Sequence, residues 1–279
     1  MAKIAVVPDP PQRPRSRTLA RGDGWSVSEV ICTLGPQHRP FEERHSWVSI
    51  SLVTAGTFHY RSHGGGDLMT PGSLMLGGAG QCFECSHEHG TGDRCLSFSY
   101  SPAYFELLEA VPSFRALRVP PIRALAPLTA RATAALAKAG DASWEEIGMT
   151  LAARTVALDR GSSHPPSAAG PGAAAAVARL VRTIQHDTAA PHDLRALARA
   201  ARLSPYHFLR VFQAVTGVTP HQYMLRLRLQ QAAVRLRAES AKIVDVAFDC
   251  GFGDLSNFNR MFRAEFGVSP RIWRRSVRT

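Results

Sequence analysis

Six residues recur in the same order 50 positions apart. Phe208, Arg210, Phe212, Gly217, Val218 and Pro220 return as Phe258, Arg260, Phe262, Gly267, Val268 and Pro270. Such a repeat constrains architecture strongly, because both copies must fold as the same small unit. In the first copy Ser204 precedes Pro205, an N-cap followed by proline at the first helical position. Phe208, Val211, Phe212 and Val215 then follow at i, i+3, i+4 and i+7, one apolar helix face. Gly217 stands where a C-cap glycine stands. In the second copy Asp254 is the N-cap, Phe258, Met261, Phe262 and Phe266 make the apolar face, and Gly267 ends it.

A shorter helix precedes each of these. Asp193 caps Leu194 to Ala201, and Ile243 to Cys250 repeats the pattern. The connections are Arg202-Leu203 into Ser204, and Gly251-Phe252-Gly253 into Asp254. Helix, tight turn and outward-facing helix make a helix-turn-helix, whose second helix reads the major groove. The outer faces carry the candidate DNA contacts. They are Ser204, Tyr206, His207, Leu209, Arg210 and Gln213 in one copy, and Leu255, Ser256, Asn257, Asn259, Arg260 and Arg263 in the other. Ordinary core-packed helices of an all-α domain are the plain alternative.

The region from Ala173 onward resembles the AraC-type (AraC/XylS) transcription regulators, and "DVAFDCGFGDLSNFNRMFRAEFGVSPRIWRR" follows the family's second motif almost throughout. The resemblance implies two helix-turn-helix units joined by one long helix, here Pro220 to Arg237. The family usually places glycine where Arg202 stands, and a turn needing positive φ is costly for arginine.

Charge supports a polyanionic partner. The chain of 279 residues carries a net +11. Residues 173–279 hold 17 Arg/Lys against 7 Asp/Glu, and residues 1–172 hold 16 against 15. The excess therefore sits on the repeat-bearing segment, as expected for double-stranded DNA as partner. Arginine also suits bidentate contacts to phosphate and guanine. No hydrophobic run approaches the ~18 residues of a membrane span, and the first 14 residues lack the apolar core of a signal peptide. The expectation is a cytoplasmic, bacterial protein with reduced cysteines.

From Trp25 to Tyr100 short alternating runs are broken by glycine-rich turns, the pattern of a sandwich or barrel. "LVTAGTFHYR…LMTPGSLMLGGAGQ" resembles the cupin-like N-terminal domain of many AraC-type regulators, which implies a β-barrel binding a small-molecule effector. Three helices follow: one begins at Pro102 to Ala110, then Arg123 to Ala139 and Ala142 to Arg160. The last two either cover the barrel or form a homodimer seam, as in relatives. "GSSHPPSAAGPG" reads as a linker. The expected organisation is α+β and multidomain: a mobile tail over 1–24, a cupin-like sensor with its helices over 25–160, a linker over 161–172, and an all-α DNA-binding domain with two helix-turn-helix units over 173–279.

One further cluster stands out. Cys85, His87 and His89 share a strand face, and a hairpin through Gly90-Thr91-Gly92-Asp93 returns Cys95 beside them. Two thiolates and two imidazoles suit tetrahedral zinc; Cys82 with Cys85 is a weaker pair. The alternative is that the cysteines are buried small hydrophobes and the histidines line an effector pocket. His45 is a further candidate for the barrel lining. Three functions are open: a regulator sensing a small molecule, a regulator of the same build sensing metal or thiol oxidation, and a cupin-type metalloenzyme. The first is the favoured expectation, with no enzyme activity and no certain cofactor. RNA polymerase would be a further partner if the protein activates.

Overall fold

The computed structural model describes residues 14–107, 113–137, 143–161 and 171–275. Nine strands come first: β1 (Arg15–Gly22), β2 (Trp25–Cys32), β3 (Glu42–Arg44), β4 (Val48–Ala55), β5 (Phe58–Ser62), β6 (Gly65–Met69), β7 (Leu74–Gly77), β8 (Cys82–Ser86) and β9 (Asp93–Tyr100). Then follow α1 (Pro102–Glu106), β10 (Arg118–Val119), α2 (Ala126–Ala137) and α3 (Trp144–Gly161). The C-terminal part is helical: α4 (Pro171–His186), α5 (Leu194–Ala200), α6 (Pro205–Thr216), α7 (Pro220–Ala238), α8 (Ile243–Asp249), α9 (Leu255–Phe266) and α10 (Pro270–Arg275). The architecture is mixed, with a sheet-rich N-terminal region and a helical C-terminal domain.

The strands form two antiparallel sheets, one ordered β1-β2-β9-β4-β7-β10 and the other β3-β8-β5-β6. Among the described residues no ladder joins them, so the closed barrel expected from the sequence is corrected to an open two-sheet arrangement. Arg15–Gly22 pairs along β2, so the tail expected over 1–24 gives way to strand. Residues 1–13 lie outside the described residues, as does 162–170 of the expected linker; α3 runs to Gly161 and α4 starts at Pro171. Of the helix expected to begin at Pro102–Ala110, α1 covers Pro102–Glu106 and residues from 108 lie outside the description.

Period-two alternation gives the larger sheet two different faces. Val48, Ile50 and Leu52 of β4 and Leu96, Phe98 and Tyr100 of β9 pack against Leu125, Leu128, Ile147, Leu151 and Val156 of the α2 and α3 region. The helices after the strands therefore cover this sheet. Ser49 and Ser51, and Cys95, Ser97 and Ser99, point the other way, into the space between the sheets.

Two apolar cores build the helical part. One gathers Val177, Val181, Ile184, Leu197, Phe208, Phe212 and Tyr223; the other gathers Leu229, Ala233, Leu236, Val246, Phe258, Phe262 and Trp273. Each fully buried phenylalanine contributes roughly 1.5–3 kcal/mol relative to exposure. The N-terminal region reaches into both cores, with Leu68 in the first and Ala130 in the second. Polar contacts pin the same seam. Arg118 sits 3.0 Å from Asp67 and donates from Nη1 to the Thr216 carbonyl at 3.0 Å. Glu265 lies 3.4 Å from both Arg123 and Arg226.

Candidate nucleic-acid interface and internal cavity

The two copies fold alike from the turn upward. Ser204 accepts the His207 amide and Asp254 accepts those of Ser256 and Asn257, so each outward helix begins on a side-chain cap. Each ends on a left-handed glycine, Gly217 at φ 80° and Gly267 at φ 78°. The turns match too. Arg202 N donates to Arg199 O and Leu203 N to Ala198 O; Gly251 N donates to Phe248 O and Phe252 N to Ala247 O. Arg202 has φ 57°, alone among described non-glycine residues in being positive, where the second copy has Gly251 at φ 82°. The turn thus keeps its shape and Arg202 bears the strain.

The capped helices present their expected faces. Ser204, Tyr206, His207, Arg210 and Gln213 are exposed on α6, and Ser256, Asn257, Asn259, Arg260 and Arg263 on α9. Leu209 and Leu255 are half-buried. Arg260 donates to Asn257 Oδ1 at 3.0 Å, and the Arg210 guanidinium lies 6.0 Å from the Tyr206 ring. Between the units, α7 starts on a reciprocal capping box of Thr219 and Gln222 and extends through Ala238, one residue past the expected end. Arg228 on α7 ties the units together. It donates to the carbonyls of Thr188 at 2.8 Å and Ala190 at 2.7 Å on one side, and of Gly251 at 3.2 Å on the other.

Residues 197–276 match the family model described as "Helix-turn-helix domain". Over these residues the chain is a helix-turn-helix domain. Over 119 residues the chain is 32% identical to the HTH-type transcriptional activator RhaR of Cronobacter sakazakii, covering 43% of this chain and 42% of the relative. Over 76 residues it is 43% identical to the HTH-type transcriptional activator RhaS of Escherichia coli O139:H28, covering 27% of each chain. The chain thus spans less than half the length of the curated relatives it matches. A solved transcriptional regulator with an AraC-type DNA-binding domain, from Chromobacterium violaceum, is 26% identical with a TM-score of 0.36, over 39% of this chain and 96% of that one. The matched segment contains both capped helices and the whole of α7 between them.

The space between the two sheets is a cavity of about 580 Å³. The larger sheet contributes Ser49, Ser51, Ser97 and Ser99; β5 and β8 opposite contribute Phe58, Phe83 and Cys85. Ser51 donates to Ser97 Oγ at 2.9 Å. His45 lines the cavity, as the sequence allowed. Its ring stacks on Phe83 with centroids 4.1 Å apart, and Nε2 is hydrogen-bonded to the Tyr60 hydroxyl at 2.9 Å. That hydroxyl donates to the Leu76 carbonyl at 3.2 Å, so Nε2–H is the donor to Tyr60. Burial pushes the His45 pKa down to about 4, leaving it neutral at ordinary pH.

The expected zinc set does not assemble. His89 has both nitrogens engaged: Nε2 donates to the Thr57 carbonyl at 2.8 Å, and Nδ1 accepts from Thr91 Oγ1 at 2.7 Å. Cys85 and Cys95 both line the cavity, where burial pushes both thiols up. Among the described residues no three His, Cys, Asp or Glu side chains are grouped to hold a metal ion. His87 instead joins two residues absent from the expected set. Its Nδ1 donates to Asp93 Oδ2 at 2.6 Å, and its Nε2 faces Cys32 Sγ at 3.4 Å. Cys32 and Asp93 are direct cross-strand partners on β2 and β9, while His87 follows β8 of the opposite sheet. Burial alone would lower the His87 pKa, but the hydrogen bonds with Asp93 and Cys32 outweigh it and raise it to about 9. Local sequence held no signal for this grouping, since Cys32 and His87 stand 55 residues apart.

Proposed function

We propose that the chain is a sequence-specific DNA-binding regulator of transcription, with a cupin-like N-terminal region that holds a small effector between its sheets. The observation that carries this is the pair of capped, solvent-facing helices, α6 and α9, built on one repeat and set on opposite ends of α7. Arg210 and Arg260 occupy equivalent exposed positions and have the reach to read guanine, one in each of two successive major grooves. Charge segregation supplies the phosphate attraction, with the net excess concentrated in residues 173–279.

Contacts between the cavity wall and the helical domain support the sensing part. Thr57 borders Phe58 of the wall, and its Oγ1 accepts from Arg182 Nη1 of α4 at 3.0 Å. A ligand that moves Phe58 or Asp93 would act on the loop that Arg182 grips. For the DNA reading, duplexes are selected from a random pool with the full chain, and affinity is followed against salt. Affinity should fall steeply with salt, by about 0.9 in log K per log salt for each phosphate contact. Arg210→Ala and Arg260→Ala should each cost roughly 1–3 kcal/mol and relax preference in one half of the site only. Equal losses on all sequences would make both arginines phosphate clamps and overturn their role as base readers.

A further inference from the structure

Cys32, His87 and Asp93 form a file of thiol, imidazole and carboxylate along the cavity wall, with spacings of 3.4 Å and 2.6 Å. Nucleophile, base and base-orienting group in hydrogen-bond reach of one another is the geometry of an activated thiol. Asp93 accepts the Nδ1–H hydrogen bond, so Nε2 is the ring atom that faces sulfur. The file is tightly held, with the side chains of His87 and Asp93 only 5% and 2% exposed. Gly56 is required beside it, since a Cβ there would collide with Asp93 Oδ1. The other two cavity thiols lack this arrangement: among the described residues neither Cys85 nor Cys95 has an imidazole hydrogen-bond partner, and burial in the apolar cluster with Phe58 and Met75 keeps them as thiols.

We propose that Cys32 is a reactive nucleophile that captures a soft carbon electrophile, an α,β-unsaturated aldehyde or ketone, inside the cavity. The inference rests on the effector reading above and names the ligand class. The one proton shared by Cys32 and His87 rests on Nε2, and the sulfur lone pair forms a bond to the β-carbon of the enal or enone. The C=C π pair moves to the α-carbon, which then takes the proton back from Nε2. The product is a thioether with all atoms accounted for, and the addition needs no outside oxidant or reductant. Asp93 is a positioning residue that keeps Nε2 aimed at sulfur. Phe58 and Phe83 supply apolar contact for the carbon skeleton, and Ser51 and Ser97 supply hydroxyls for the carbonyl oxygen.

The test exposes the full chain to 2-cyclohexen-1-one and follows adducts at each cysteine by peptide mass mapping over time. Cys32 should react first, ahead of the partly exposed Cys82. His87→Gln should slow Cys32 by roughly 10-fold or more while Cys82 keeps its rate. Asp93→Asn should lower the Cys32-to-Cys82 rate ratio and weaken the thiolate ultraviolet band, neither of which a merely structural role would change selectively. Thermal melts of each variant identify any that misfold, and Cys32→Ser, nearly isosteric, should remove the fast adduct without altering the melt. Cys32 reacting no faster than Cys82, or at an unchanged rate in folded His87→Gln, would overturn the proposal. DNA affinity is measured separately on the adduct. Fast capture at Cys32 with unchanged DNA binding upholds the reactive thiol and removes the effector reading; absence of capture removes the thiol chemistry alone.

Discussion

Arg202 shows how a single backbone position can be over-determined by its surroundings. The turn hydrogen bonds are the same as those around Gly251, so the fold imposes φ 57° on a residue with a Cβ. A left-handed conformation costs an L-residue roughly 1–2 kcal/mol, partly offset by glycine's larger entropy loss. Arg202→Gly should therefore raise stability by about 1 kcal/mol in chemical denaturation; a fall would show that the arginine side chain contributes more than its backbone costs. His45 gives a pH signature. Its pKa is about 4 in the folded chain against its ordinary 6.5, so only the unfolded chain takes up this proton between those values. Its contribution is complete above pH 6.5 and is lost as pH falls toward 4, by about 2 kcal/mol at pH 5. His45→Gln should flatten the acid limb of the stability curve measured by urea titration from pH 7 to 4.5. An acid limb identical to that of the native chain would mean that another group carries it.

α7 is the element that joins the two small units and, in the proposed function, makes them one reader. Its 19 residues at 1.5 Å rise give a rod of about 28 Å, against ~34 Å between successive major grooves on one face. The capping box fixes its start, and Leu229, Ala232, Ala233 and Leu236 bury one side. Arg228 locks both neighbouring loops to it. Inserting about 5 base pairs between the half-elements of a selected site turns the second groove to the far side of the duplex. Affinity of the full chain should then drop toward that of one unit, as read by fluorescence anisotropy. Unchanged affinity would show that one unit alone engages DNA, and the strained Arg202 turn would be the first suspect.

Across the molecule, the two regions are docked without covering the reading faces. Ala130, Leu68 and the arginine pins hold the seam, yet ten of the twelve candidate contacts stay exposed. Two glycines measure that docking. Gly217 and Gly267 share the same left-handed role, but a Cβ at Gly217 would come 2.5 Å from Pro120 Cβ, whereas nothing lies within 4 Å at Gly267. Gly267→Ala should cost about 1–2 kcal/mol from backbone strain alone. Gly217→Ala should cost more in the full chain, and the excess reports the seam; equal losses by calorimetry would mean that Pro120 yields freely.

The helical half was legible because its information is local. Caps, the 3.6-residue apolar period and the C-terminal glycines lie within a dozen residues of one another, and the repeat doubles them. The N-terminal half was legible only as strands. Alternation in "VSISLV" says that two faces differ, but it is symmetric and does not say which face meets helices and which meets a cavity. Only the packed sheets show that the serines line the space between them. Cys85, His87, His89 and Cys95 share a short stretch, which suggested one metal set. Tertiary pairing decided otherwise, by giving both His89 nitrogens to Thr57 and Thr91 and by laying Asp93 across from Cys32. Strand register and sheet-to-sheet packing bring residues far apart in the chain within 3.4 Å, and no local pattern encodes that distance.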